Sequence, residues 1–224
     1  MIPLRDLNPR RTFPAVTIGL ILINVLAFLY QISLGAGFER FIMRSAFIPD
    51  EFFAPGGTAA DARSILVSMF LHGGIMHLGG NMLYLWIFGD NVEDRMGHVL
   101  YLIFYLLSGV AATLAHAFSA PHSTIPAVGA SGAISGVLGA YLILFPGARV
   151  MTLIPFGFYM RMTEMPAIVV LGLWFVLQFL SGLVGDGAGG GVAWWAHIGG
   201  FVFGVGLAFL FGRRRSPSQV RWSA

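Results

Sequence analysis

Between Ala15 and Phe211 the chain passes through six apolar stretches, and its charged residues are confined to the gaps between them. This feature constrains the fold more than any motif does. A soluble domain carries about 25% charged residues, whereas here 10% are charged and 57% are hydrophobic. So few charges cannot solvate a globule of 224 residues, which leaves lipid as the solvent. The expected fold is an all-α integral membrane protein, a bundle of six transmembrane helices with a short central fourth helix.

The first span is expected at Ala15 to Leu34, about 20 residues, enough to cross a bilayer at 1.5 Å per residue. A charged start ahead of it resembles a signal peptide. The run is too long for an h-region and no small-residue cleavage site follows, so it reads as a retained helix. Asn24 within it is expected to bond a neighbouring helix. Residues 35–63 form the longest loop. They mix glycine and proline with Phe38, Phe41, Phe47, Phe52 and Phe53 and with charges, which suits a loop lying in the membrane interface with short helices of its own.

The second span is read at about 74–90, ended by Asp90, Glu93, Asp94 and Arg95. Glu93 and Arg95 are expected to cap and anchor that end. The third is Val99 to Phe118, and the fourth is Ser131 to Phe145, stopped by Pro146 and Gly147. Residues 150–164 read as a loop. The fifth span is Met165 to Val184 and the sixth Val192 to Phe211. The domain reading is therefore a tail at 1–14, a membrane domain at 15–211 and a basic tail at 212–224.

All 13 basic residues are arginine, set at the ends of apolar runs. That placement indicates membrane orientation rather than nucleic-acid binding. With the N-terminus in the cytoplasm, ten arginines fall inside and Arg40, Arg44 and Arg63 outside, which obeys the positive-inside rule. The expected location is the cell (inner) membrane, with both termini cytoplasmic. The absence of cysteine removes disulfides, thiolate metal sites and cysteine nucleophiles.

Orientation brings polar groups together. Spans 2, 4 and 6 all run from outside to inside. His77 and Asn81, spaced i,i+4, share a face of span 2. Ser131 opens span 4, and His197 lies about five residues into span 6. A serine, two histidines and an asparagine thus sit at similar depth in the outer half of the bilayer, where polar groups are costly and tend to be functional or bonded to one another. Glycines at Gly132, Gly136 and Gly139 and at Gly200, Gly204 and Gly206 allow close helix approach.

A serine hydroxyl needs a base to take its proton, and His197 is the candidate. Asn81, His77 and the free amides at the start of span 4 are candidate donors to an oxyanion. No acid lies at that depth; the nearest outer ones are Asp61 and Asp186. A Ser–His dyad is therefore expected, with no metal and no cofactor. His98, His116 and His122 are given no role.

These residues resemble the rhomboid intramembrane serine proteases. Gly129-Ala130-Ser131-Gly132 is similar to the family's GxSG. His77-Leu78-Gly79-Gly80-Asn81 is similar to its HxxxN, and Ala196-His197 through Gly200 to Gly204 to its AHxxGxxxG. Gly89, Glu93 and Gly97, together with His72, match further positions. The resemblance spans about residues 15–211. It implies that Ser131 is the nucleophile and His197 the base, with His77, Asn81 and the Ser131 N–H forming the oxyanion hole. His72, Gly129, Gly132 and Gly200 would support the site. The substrate would be a transmembrane protein entering sideways between spans 2 and 5. The first loop would act as a membrane-lying support, and lipids would be the other partners.

One position departs from the pattern. Some rhomboids pack an aromatic residue, one turn after the serine, on the catalytic histidine. Ser135 stands there, and Trp194 or Trp195 is the candidate to take over that packing. The aromatics of span 5, including Trp174 and Phe175, read as lipid-facing or core residues. Two competing functions stay open: an inactive relative that binds membrane-protein clients, and a channel or transporter. The absence of charge inside the spans and of internal repeats counts against the latter.

Overall fold

The computed structural model describes residues 1–55, 59–156, 159–184 and 192–211. The tail expected at 212–224, and Asp186 with the glycines around it, lie outside the described residues. Six helices of 14 residues or more are described: α1 Ala15–Ser33, α5 Ile75–Met96, α6 His98–Ser119, α7 Ser131–Leu144, α8 Ala167–Val184 and α9 Trp194–Phe211. By length and composition α1, α6 and α8 are able to cross a membrane, and α7 and α9 are shorter apolar helices. The first long loop holds three short helices, α2 Phe38–Ser45, α3 Pro49–Phe53 and α4 Ala59–Ser68.

The helices are inside-out relative to those of a soluble protein. The buried stripe of α1 is Thr17, Leu20, Asn24, Phe28 and Gln31, spaced three or four apart, and three of the five are polar. Leucines and isoleucines such as Leu22, Ile23, Leu26 and Leu29 face outward. In lipid the polar side chain needs the protein and the apolar one does not. Asn24 donates through Nδ2 to the Leu20 carbonyl of its own helix, and its side chain also meets the Tyr105 hydroxyl of α6, the neighbouring helix the sequence led us to expect.

The short α7 sits at the centre. Every residue from Gly132 to Tyr141 is buried. It packs on α9, α6 and α5, with the lipid-exposed α8 at its edge.

The all-α expectation needs correction. A three-stranded antiparallel sheet, ordered β1-β2-β3, closes the bundle at the C-terminal end of α7. Its strands are β1 Ile2–Asp6, β2 Arg149–Phe156 and β3 Tyr159–Pro166. The segment read as a loop is thus a hairpin, and part of the expected tail is a strand. β1 pairs with β2 from Ile2↔Leu153 to Asp6↔Val150, and an irregularity falls between Pro3 and Arg5. Pro3 lacks the N–H a regular ladder uses. Val150 and Thr152 alternate inward along β2. Partners so far apart in the chain leave no local signature.

A second correction concerns α5, which runs six residues past its expected end at Asp90. The charges there do not terminate the helix; they bind the N-terminal segment. Asn91 Nδ2 donates to Asp6, Arg10 pairs with Asp90 at 3.1 Å, and Thr12 donates to Asp94. Glu93, fully buried, accepts from the Val16 and Thr17 amides at 2.9 and 2.7 Å and from the Thr17 hydroxyl. It therefore caps α1, whose own N-cap, Pro14, supplies no side-chain bond. A carboxylate at a helix N-terminus meets free amides and the positive dipole end.

Asp6 joins the sheet to α7, because the Tyr141 hydroxyl donates to it at 2.8 Å. Burial pushes the Asp6 carboxyl up to about 6, with Asp90 adding to the rise and the Tyr141 bond opposing it. The fold thus favours the protonated form. The stability this contributes is complete below the ordinary value of 3.8 and is lost as pH rises through about 6. Thermal unfolding in detergent is expected to show a larger loss of stability between those pH values for the wild type than for Asp6→Asn. Parallel pH profiles for the two would remove Asp6 as the source.

Candidate functional site

Ser131 is the first residue of α7, and the segment that delivers it is braced by the first loop. The Ala127 amide donates to the Phe47 carbonyl at 2.8 Å, and the Gly129 amide donates to the Ser68 carbonyl at 2.9 Å. Gly129 turns the chain with φ +122°, a left-handed conformation that side chains disfavour. A Cβ there would lie 2.7 Å from His77 Nε2 and 3.5 Å from Asn81 Nδ2. His77 and Asn81, on the first turns of α5, therefore sit directly against the turn that leads into Ser131.

His197 arrives from the other side. In α9 a Cβ on Gly200 would lie 2.1 Å from the Gly132 carbonyl, and one on Gly204 2.0 Å from the Gly136 carbonyl. A Cβ on Gly139 of α7 would in turn meet the Phe201 carbonyl at 2.2 Å. The two backbones touch at successive points over about two turns of α7. This contact fixes the register: Ser131 precedes Gly132 by one residue, and His197 precedes Gly200 by one turn.

Ser131, His77, Asn81 and His197 all line one cavity of about 1310 Å³. Its walls include Tyr84 of α5 and Trp174 and Gly182 of α8, and the 119–128 loop closes one side. His116 and His122, which the sequence left without a role, line it too. Among the described residues no group of three acidic or histidine side chains is arranged to hold a metal.

The surroundings orient each polar group. His72, fully buried, accepts at Nε2 from Asn81 Nδ2 at 3.0 Å, which leaves the second Asn81 N–H free. Gln31 of α1 clamps the His72 backbone, bonding both its N–H and its C=O at 3.0 and 3.1 Å. Ser135 turns its hydroxyl back to the Ser131 carbonyl at 2.6 Å. It occupies the aromatic position and directs its hydroxyl to its own helix.

Packing on His197 comes instead from Trp174, its ring tilted 34° at 6.0 Å, and from Trp194, edge-on at 6.3 Å. Trp195 pairs with Phe179 rather than with the histidine. His197 Nδ1 lies 2.6 Å from Gln178 Oε1. The contacts described for His197 are with Gln178, Trp174 and Trp194, and a direct bond to Ser131 is not among them. Gln178 was missed in the sequence. The signal was available, since it is the sole side-chain amide in the apolar α8. The reasoning applied to Asn24 extends to it.

A family model for the Rhomboid domain matches residues 60–214. The chain belongs to the rhomboid family. It is 32% identical over 175 residues to "Rhomboid protein 1, mitochondrial" of Saccharomyces cerevisiae, covering 71% of this chain and 46% of that protein. It is 35% identical over 154 residues to "Rhomboid protease GluP" of Bacillus subtilis, covering 67% and 28%. A shorter match, 35% over 80 residues, covers 36% of this chain and 6% of "Inactive rhomboid protein 1" of Drosophila melanogaster. The chain thus spans less than half the length of these rhomboid relatives, and they include one named as a protease and one named as inactive.

The α7–α9 contact makes a separable prediction. Gly204→Ala drives a methyl into the Gly136 carbonyl, which no rotamer relieves, and is expected to destabilise by about 1–3 kcal/mol with loss of any activity. Gly206→Ala, on the same helix with nothing within 4 Å, is expected to be neutral. Equal unfolding midpoints in detergent for both variants would show that the contact is not tight.

Proposed function

We propose that this rhomboid is an intramembrane serine endopeptidase that cuts membrane-anchored proteins in or near their transmembrane segment through Ser131 and His197. The observation that carries the reading is the backbone contact of Gly200 with the Gly132 carbonyl, which ties the two residues to one cavity across two helices. Six membrane spans with both termini on the cytoplasmic side of the inner membrane complete the proposal. The arginine distribution supports that orientation.

In this mechanism Ser131 Oγ attacks the scissile carbonyl while its proton passes to His197 Nε2. The C=O electron pair moves onto oxygen, giving a tetrahedral oxyanion. The Ser131 N–H, the free Asn81 N–H and a His77 N–H donate to it. Collapse expels the amine, which takes the proton from His197. Water then attacks the acyl ester by the same route and restores Ser131. A substrate helix would approach between α5 and α8, since both helices wall the cavity. A free hydroxyl–imidazole bond often tightens only once substrate is bound.

Labelling by a serine-directed fluorophosphonate, lost in Ser131→Ala, is the decisive experiment. A folded wild type that takes no label would assign the chain to client binding instead. Ser131→Ala and His197→Ala are each expected to abolish cleavage of a single-span substrate without loss of expression. Asn81→Ala is expected to lower kcat by about 10²–10³-fold with little change in KM, and an unchanged kcat would take Asn81 out of the oxyanion hole.

A further inference from the structure

We propose that Gln178 is the positioning residue for His197, performing with a neutral amide the orienting task for which soluble serine hydrolases use a carboxylate. The inference rests on the Ser131–His197 reading above and deepens it. The geometry is a 2.6 Å contact between His197 Nδ1 and Gln178 Oε1. An amide oxygen only accepts, so Nδ1 carries the proton and donates. That tautomer leaves Nε2 with its lone pair free, as a base must have when it takes a proton from Ser131. The opposite tautomer would leave Nε2 protonated and unable to act.

The rest of the ring's surroundings agree with this role. Trp174, one turn before Gln178 on α8, lies tilted against the imidazole and Trp194 meets it edge-on, so the ring is both packed by aromatics and hydrogen-bonded. Ser135 is turned away to the Ser131 carbonyl and provides no orienting contact. The titratable groups facing His197 are His77 from α5 and His116 from α6; α8 and α9 contain no charged residue. A carboxylate in the place of Gln178 would be a lone charge on a helix with much of its surface in lipid. A neutral acceptor avoids that penalty.

The element that holds Gln178 gives the bond a consequence. α8 buries only Ala167, Val170, Leu171 and Gly182. It is also a wall of the cavity. The base is therefore oriented by a helix that buries few of its own residues, and a displacement of α8 that breaks the contact releases the imidazole. Base orientation and the position of α8 are one variable.

The test uses the full chain in detergent, with Gln178→Leu and Gln178→Glu beside the wild type. It reads the rate of fluorophosphonate labelling of Ser131 and the kcat and KM for a single-span substrate. Gln178→Leu is expected to lower labelling and kcat by about 10–100-fold, with KM changed less than about threefold. Gln178→Glu restores an acceptor and is expected to recover most of the rate. It is also expected to move the acidic limb of the kcat/KM profile to higher pH, because a carboxylate stabilises the imidazolium. Equal rates for Gln178→Leu and wild type overturn the proposal. So does equal impairment of both variants with an unshifted profile, which is the mark of lost packing. If Gln178→Leu does not fold, the profile of Gln178→Glu decides alone: a shift supports the role and an unchanged limb ends it. A wild type that is neither labelled nor active removes the protease reading itself, an outcome distinct from any failure of Gln178.

Discussion

The backbone contact between α7 and α9 is the constraint on which the candidate site depends. Helices that meet through side chains keep their axes 8–10 Å apart. Here Gly200 and Gly204 bring α9 onto the carbonyls of Gly132 and Gly136, and Gly139 returns the contact from α7. Hydrophobic burial cannot drive such a pairing in lipid, where the solvent is as apolar as leucine. Shape does so instead. The same absence of side chains that allows the approach also sets the register, so that residues at the ends of two helices come to one level. The chemistry proposed for Ser131 and His197 rests on this register.

The two ends of the bundle are held differently. At the Ser131 end the first loop hydrogen-bonds the segment leading into α7, and Gln31, His72 and Asn81 form a relay of amide and imidazole bonds from α1 to α5. At the other end the N-terminal segment lies along the last turns of α5, and Glu93 caps α1 from a different helix. Both ends use polar groups that lipid would penalise, each satisfied by a partner from elsewhere in the chain. Tyr141 links the sheet, through Asp6, to the helix that Ser131 opens. The central helix is therefore anchored at both ends.

Much of the helical layout was legible in the sequence. The observed helix boundaries of α1, α6, α7, α8 and α9 fall within two residues of the expected ones. The clustering of Ser131, His77 and Asn81 at one level could be read from span direction and depth. The sheet could not, because β1 and β2 are separated by most of the chain. The end of α5 was misread because charge normally closes a membrane span. Asp90, Glu93 and Asp94 continue the helix, and their partners arrive from residues 10–17. The surroundings of His197 were legible only in part: Trp194 was one of the two candidates for its packing, whereas Trp174 was read as a lipid-facing or core residue and Gln178 was passed over.

What the sequence alone determined is what depends on neighbours in the chain and on partition into lipid. That covers the solvent, the positions of the long helices, and the residues too polar to face hydrocarbon. A helix bonds i to i−4 and a span is apolar along its own length, so both are local properties. Only the tertiary structure decided which polar group meets which: Glu93 with the amides of α1, Asp6 with Tyr141, and Gln178 with His197. Those pairings depend on the distance between elements that are remote in sequence, which no local property of the chain encodes.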